Sequence, residues 1–241
     1  MRRALIEAVA LLGVPATLAA CELAGVYQTA LLSLAVVVAA LTALFAQYEA
    51  SKPRLRDIMP VAVLAALAAA GRILFAAFPS FKPVTAVAVI AGAVFGRRSG
   101  FMVGALAALA SNFFFGQGPW TPWQMYAWGL AGYGAGLLAQ AGLAERPGAV
   151  VAYGFAASLG FGFIMNCWTY LGFVHASAGV GLLAVCASSL PFDAVHGIAT
   201  AAFLVALYLP WRRKLLRVER RYGLAAAPPS PSPPDDTERT R

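Results

Sequence analysis

Charge is scarce in this chain. Only 12% of its 241 residues are Asp, Glu, Lys or Arg, whereas 61% are hydrophobic. About half apolar is ordinary for a soluble domain, so a water-soluble fold cannot hide this much apolar surface. Cysteine is scarce as well. Cys21, Cys167 and Cys186 form no CxxC pair, which excludes a zinc ribbon or a dithiol redox motif; they read as small buried hydrophobes. There is no GxxxxGK(S/T), so ATP hydrolysis is not expected from this chain, and no GxSxG or HExxH. No cofactor and no metal site is expected.

Long apolar runs fill the remainder. They are continuous rather than alternating, which favours membrane-spanning helices over β-strands. Eight segments approach the roughly 20 residues a spanning helix needs: about 4–22, 27–47, 58–78, 83–96, 99–115, 122–141, 149–173 and 184–209. The fourth and fifth are short and punctuated by glycine. The expected fold class is therefore all-α, a polytopic membrane bundle. The first apolar run follows Arg2 and Arg3 but lacks a small-residue cleavage site before a soluble domain, so no cleaved signal peptide is expected.

The basic residues orient these segments. With the N-terminus in the cytoplasm, Lys52, Arg54, Arg56, Arg97, Arg98, Arg146 and the group from Arg212 to Arg221 all fall inside. Of 18 Lys and Arg, only Lys82 lands outside and only Arg72 lies within a span. That is the positive-inside pattern. It accounts for the net charge of +8 through anionic inner-leaflet lipid, without a nucleic-acid partner. The tail from 222 to 241 is rich in Pro, Ser and charge and reads as a disordered cytoplasmic extension.

One short stretch carries unusual chemistry. "FFFGQGPWTPWQMYAWG", residues 113–129, holds Trp120, Trp123 and Trp128 and no charge. Gly116, Gly118, Pro119 and Pro122 shape an external turn there. Tryptophan at a membrane interface can serve lipid contacts alone. The uncharged Asn112, Gln117, Thr121 and Gln124 beside the rings also fit an aromatic-lined pocket with a few placed polar groups. Asn166 and Trp168 lie at the same level in the seventh span. In the eighth, Ser189, Asp193, His196 and Thr200 share one helical face. A charge at mid-bilayer costs about 2.5–3.5 kcal/mol on insertion scales, so Asp193 should face the interior. Arg72 and His196 are its candidate partners, and the pairing serves either helix packing or ligand binding. On the third span, Ala62, Ala66 and Ala70 recur every four residues, a small-residue stripe that lets another helix approach closely. The series Gly92, Gly96, Gly100, Gly104 reads as internal packing.

These residues together resemble the substrate-binding S component of energy-coupling factor (ECF) transporters. The resemblance covers roughly 58–221. "KPVTAVAVIAGAVFG" and "SNFFFGQGPWTPWQM" carry it, with the later "SSLPFDAVHGIATAAFLV". It implies a six-helix core that captures a vitamin or related micronutrient from outside. That core would work with a membrane coupling subunit and two cytoplasmic ATPases, in the cell membrane with both termini inside. It implies ligand contacts at Phe81, Lys82 and Thr85, along the aromatic stretch, and at Asn166, Trp168, Asp193 and His196. It assigns Ala62, Ala66 and Ala70 to the coupling-subunit contact. The neutral aromatic site suggests a large ring-bearing vitamin, cobalamin-type first by similarity, with riboflavin or a queuosine precursor behind it. The chain departs from the pattern in residues 1–57, which read as two extra spans, and in its tail. The alternatives are a membrane scaffold or sensor without cargo, and an intramembrane hydrolase drawn from Ser189, Asp193 and His196.

Overall fold

The computed structural model describes residues 29–174 and 181–221, with the isolated positions 13 and 16. The predicted first span, with Glu7 and Cys21, and the proline-rich tail lie outside the described residues. Among those described the fold is all-α, with seven α-helices: α1 (Thr29–Ala50), α2 (Leu55–Leu74), α3 (Val84–Phe95), α4 (Arg97–Phe115), α5 (Trp120–Gln140), α6 (Pro147–Thr169) and α7 (Leu182–Arg221). A 3-10 turn, Leu143–Glu145, precedes α6, and a π-helical turn, Tyr170–Val174, ends it.

Among the described residues, four helical stretches are long and apolar enough to cross a membrane: Leu55–Leu74, Arg97–Phe115, Pro147–Val174 and Leu182–Arg221. The chain is a multi-pass membrane protein. The expected eight spans do not all meet that standard. With 12 residues, α3 is only about 18 Å long at 1.5 Å per residue, against a hydrocarbon core of about 30 Å. Its residues Val84–Gly92 and Val94 are buried, so protein rather than lipid surrounds it, and a short helix suffices. At the other extreme, α7 runs 40 residues, about 60 Å, and carries the basic stretch Arg212–Arg221 well past the predicted end at 209. Pro210 does not stop it, and the cations at its C-terminus suit the helix dipole.

The centre of the bundle is α5, packed on α3 and α4, while α6 packs on α7 and α2 on α4. Glycine makes the central crossing possible. A Cβ on Gly100 or Gly92 would overlap the Gly132 carbonyl, and one on Gly132 would overlap the backbone of Gly100. Gly96, at φ 85°, is the single residue joining α3 to α4, a backbone region other residues rarely enter. Gly92, Gly100 and Gly104 are internal packing, as expected, whereas Gly96 has nothing within 4 Å of an added Cβ and serves the turn instead. Helix α1 adds to the same core. Its Val37, Ala40, Leu41 and Leu44 are buried with Phe101, and Phe45 meets Phe101 edge-on at 6.4 Å.

The two ends of the bundle differ. At one end Tyr208 donates to the Ala144 carbonyl at 2.7 Å, Arg212 pairs with Glu145, and Gly136 abuts Arg97. At the opposite end the C-terminal parts of α2, α4 and α6 meet the N-terminal parts of α3, α5 and α7, with polar side chains joining them.

Candidate binding cleft

At that second end lies a cleft of about 190 Å³. Arg72 comes from the last turn of α2, and Ser80 and Lys82 from the turn after it. Gln124 and Trp128 come from α5. Helix α6 adds Phe161, Gly162, Met165 and Asn166, and α7 adds Phe192, Asp193 and His196.

Arg72 is held in place by neutral groups. Its Nη1 donates to Ser111 Oγ at 2.6 Å and to Asn112 Oδ1 at 2.7 Å. Its guanidinium carbon lies 4.6 Å from the Phe115 ring centre and 4.8 Å from that of Trp128, within cation–π range. Asn112 is fully buried, and its Nδ2 donates to Thr121 Oγ1 at 3.0 Å and to Gln124 Oε1 at 2.8 Å. Thr121 in turn donates to Gln117 Oε1 at 2.9 Å, and Gln117 Nε2 donates to the Leu109 carbonyl. A neutral network thus runs from the turn between α4 and α5 to Arg72, the only cation in a predicted span.

Asp193 sits on the α6–α7 side. Its Oδ2 accepts from Ser189 Oγ at 2.8 Å and from Asn166 Nδ2 at 3.4 Å, and Asn166 Nδ2 also lies 2.6 Å from Ser189 Oγ. The expected Arg72–Asp193 pair does not form: both residues line the cleft, yet neither makes an ion pair among the described residues. Ser111 and Asn112 take the Nη1 donors of Arg72, and Ser189 and Asn166 take the Oδ2 of Asp193. The alternative Asp193–His196 pair does not form either. His196 Nε2 is joined to Thr85 Oγ1 at 2.8 Å, and its ring meets Phe161 edge-on at 5.1 Å. Ser189 bonds Asp193 directly, so the three residues do not form a serine–histidine–aspartate relay. Thr200, on the same face of α7, is bonded by Ser158 at 2.8 Å.

Of the residues singled out in the sequence, Lys82, Gln124, Asn166, Asp193 and His196 line the cleft. Thr85 and Asn112 stand directly behind it. The Lys82 ammonium is committed elsewhere: it donates to the carbonyls of Phe75 at 3.0 Å, Ala76 at 3.4 Å and Phe78 at 2.8 Å, closing the end of α2. Burial, and secondarily the charge of Arg72, lowers its pKa from the ordinary lysine value. Gln117 and Thr121 belong to the turn network.

The remaining aromatic residues are not cleft-lining. Phe81 packs on Phe75 and Phe203 at 5.9 and 5.3 Å. Trp120 and Trp168 form an edge-on pair at 6.2 Å, with Phe173 beyond Trp168 at 5.3 Å. Trp123 is 1% exposed and belongs to the hydrophobic core. The Trp, Phe and Tyr rings that line the cleft are Trp128, Phe161 and Phe192; Trp128 and Phe161 stack at 4.5 Å, with Trp128 Nε1 donating to Thr85 at 3.1 Å. Arg72 stood out in the sequence only as a partner for Asp193, and Trp128 only as one of three indoles. Phe161, Gly162, Met165 and Phe192 carried no signal, because apolar residues on an apolar helix look alike until the packing is known. On α2, Ala65, Ala68 and Ala69 are buried, whereas Ala62, Ala66 and Ala70 are exposed.

Comparison with solved structures and with curated proteins gave no match. The family model of DUF6580, described as a family of unknown function, matches residues 51–213, more than half of the chain. That segment begins just before α2 and contains every residue of the cleft, and the chain belongs to the DUF6580 family.

Proposed function

We propose that this chain is the substrate-capture subunit of an ECF-type importer, with α2–α7 as its six-helix core. In this reading it sits in the cell membrane with both termini cytoplasmic. It takes a micronutrient from outside and delivers it inward with a coupling subunit and two ATPases. The observation that carries the reading is the position of the cleft, at the end of the bundle opposite Arg97, Arg146 and Arg212. Under the positive-inside rule that end faces outward. The exposure of Ala62, Ala66 and Ala70 on α2 supports it, because a close-packing stripe on the outer side is available to a partner helix.

The size of the cleft narrows the cargo. A volume of about 190 Å³ equals roughly six waters at ~30 Å³ each, below the ~300–1,000 Å³ of pockets for drug-sized ligands. A volume of that order favours a small micronutrient over a macrocycle of the cobalamin kind.

Two measurements test the proposal. Single-cysteine labelling should find positions 52, 97, 146 and 214 cytoplasmic and positions 82 and 118 external. Purification of the tagged chain in mild detergent should bring down two ATPases and an integral membrane subunit, identified by mass spectrometry. External labelling at 97 or 146 removes the outward cleft. A chain that carries neither ATPases nor a saturable small ligand is a scaffold or sensor.

A further inference from the structure

Arg72 and Asp193 are opposite charges lining one small cleft, and each is held by neutral partners instead of by the other. Arg72 is fixed by Ser111 and Asn112 and by the rings of Phe115 and Trp128. Asp193 is fixed by Ser189 and Asn166. These are bonds that orient a charge without neutralising it. Lys82 adds a second cation near Arg72, its ammonium held by three carbonyls at the end of α2, where the partial negative charge of the helix terminus offsets part of it, so this side of the cleft is the one that takes an anionic group. The stacked rings of Trp128 and Phe161 line the same cleft.

Resting on the capture function above, we propose that the ligand is a small zwitterion of the amino-acid or betaine class. Its anionic group meets Arg72, its cationic group meets Asp193, and a short apolar or planar body lies on Trp128 and Phe161. A simple anion would satisfy Arg72 but face the Asp193 carboxylate, and a simple cation would meet the reverse conflict. In a site of low dielectric those like-charge contacts are costly, and charge-assisted hydrogen bonds are the strong ones. A ligand carrying both signs satisfies both walls at once. The volume of about 190 Å³ suits a molecule of that size.

The test uses the full chain in nanodiscs. It is incubated with an equimolar mixture of small metabolites in three matched sets: zwitterions (the common α-amino acids and glycine betaine), anions (their N-acetyl forms and short carboxylates) and cations (their methyl esters and choline). Retained molecules are released and identified by mass spectrometry. The wild-type chain is expected to retain zwitterions. Arg72→Gln and Asp193→Asn, checked for folding by gel filtration and melting, should each lower that retention at least about tenfold, the loss of one charge-assisted contact. Asp193→Asn should shift the residual preference towards anions. Wild-type retention of anions or cations alone overturns the zwitterion inference and leaves the capture function standing. Retention of nothing from any set overturns the zwitterion inference, and the capture function falls with it only if the pull-down also brings down no ATPases. The wild-type result stands whether or not either variant folds.

Discussion

The carboxylate of Asp193 occupies the space that a Cβ on residue 162 would fill, so that its place in the cleft depends on position 162 being glycine. Gly162→Ala therefore pushes the carboxylate out of the cleft. The displaced atoms are the far end of a side chain, so the fold should absorb the change at under ~1 kcal/mol. Ligand affinity should fall about tenfold or more, since each 1.4 kcal/mol is a factor of ten. Calorimetry and melting on the same preparation separate the two effects. Intact affinity would mean that Asp193 does not meet the ligand.

Asn112 positions Arg72 and has no exposed surface of its own. Asn112→Ala removes a bond to Arg72 and strands Gln124 Oε1, which should cost about 1–3 kcal/mol of stability. Asn112→Asp is the sharper variant. It places a carboxylate beside the guanidinium and supplies the counter-charge that the cleft otherwise leaves to a ligand. Asn112→Asp loses the same donations to Thr121 and Gln124, so its melting temperature should fall as that of Asn112→Ala does, but its affinity should drop further, and a variant that binds normally would show that Arg72 acts only in packing.

The three tryptophans of the aromatic stretch should separate by role. Trp123→Ala opens a core cavity and should cost about 3–5 kcal/mol. Trp128→Phe keeps a ring against Phe161 but loses the donor to Thr85, so it should weaken binding more than stability. Trp120→Ala breaks the pair with Trp168 away from the cleft and should leave affinity unchanged. Tryptophan quenching titrations with melting as a control distinguish these outcomes, and an affinity loss confined to Trp120→Ala would return the binding site to the turn between α4 and α5.

Ala66 lies exposed on α2 between Ala62 and Ala70. Ala66→Trp should fold and bind ligand normally, because no interior contact is crowded, yet lose pull-down of the membrane partner and the ATPases. Normal assembly with that variant would make the stripe lipid-facing only.

Gly132→Ala tests the central crossing. The added Cβ meets the backbone of Gly100, which cannot rotate away. Overpacking of this kind costs about 1–3 kcal/mol. The melting temperature should fall well below that of Gly162→Ala, whose clash is with a movable side chain. Equal melting for the two would mean that α4 and α5 can slide apart freely.

Much of this protein follows from composition and local pattern alone. Continuous apolar runs dictate helices, and each of the predicted segments from the second to the eighth coincides with one to within a few residues, apart from the tail end of α7. The basic loops single out one end of the bundle because their spacing along the chain alternates with the helices. Tertiary structure decided what those rules cannot see. Whether α3 must span lipid depends on its burial by neighbours, which no window of hydropathy measures. Whether Trp123 or Trp128 faces the cleft depends on the rotation of α5, set by glycine contacts with α3 and α4. Whether Arg72 pairs with Asp193 depends on which hydrogen-bond partners reach each charge first. Ser111 and Asn112 reach Arg72 from α4, and Asn166 reaches Asp193 from α6, so two opposite charges distant in sequence line one cleft without joining.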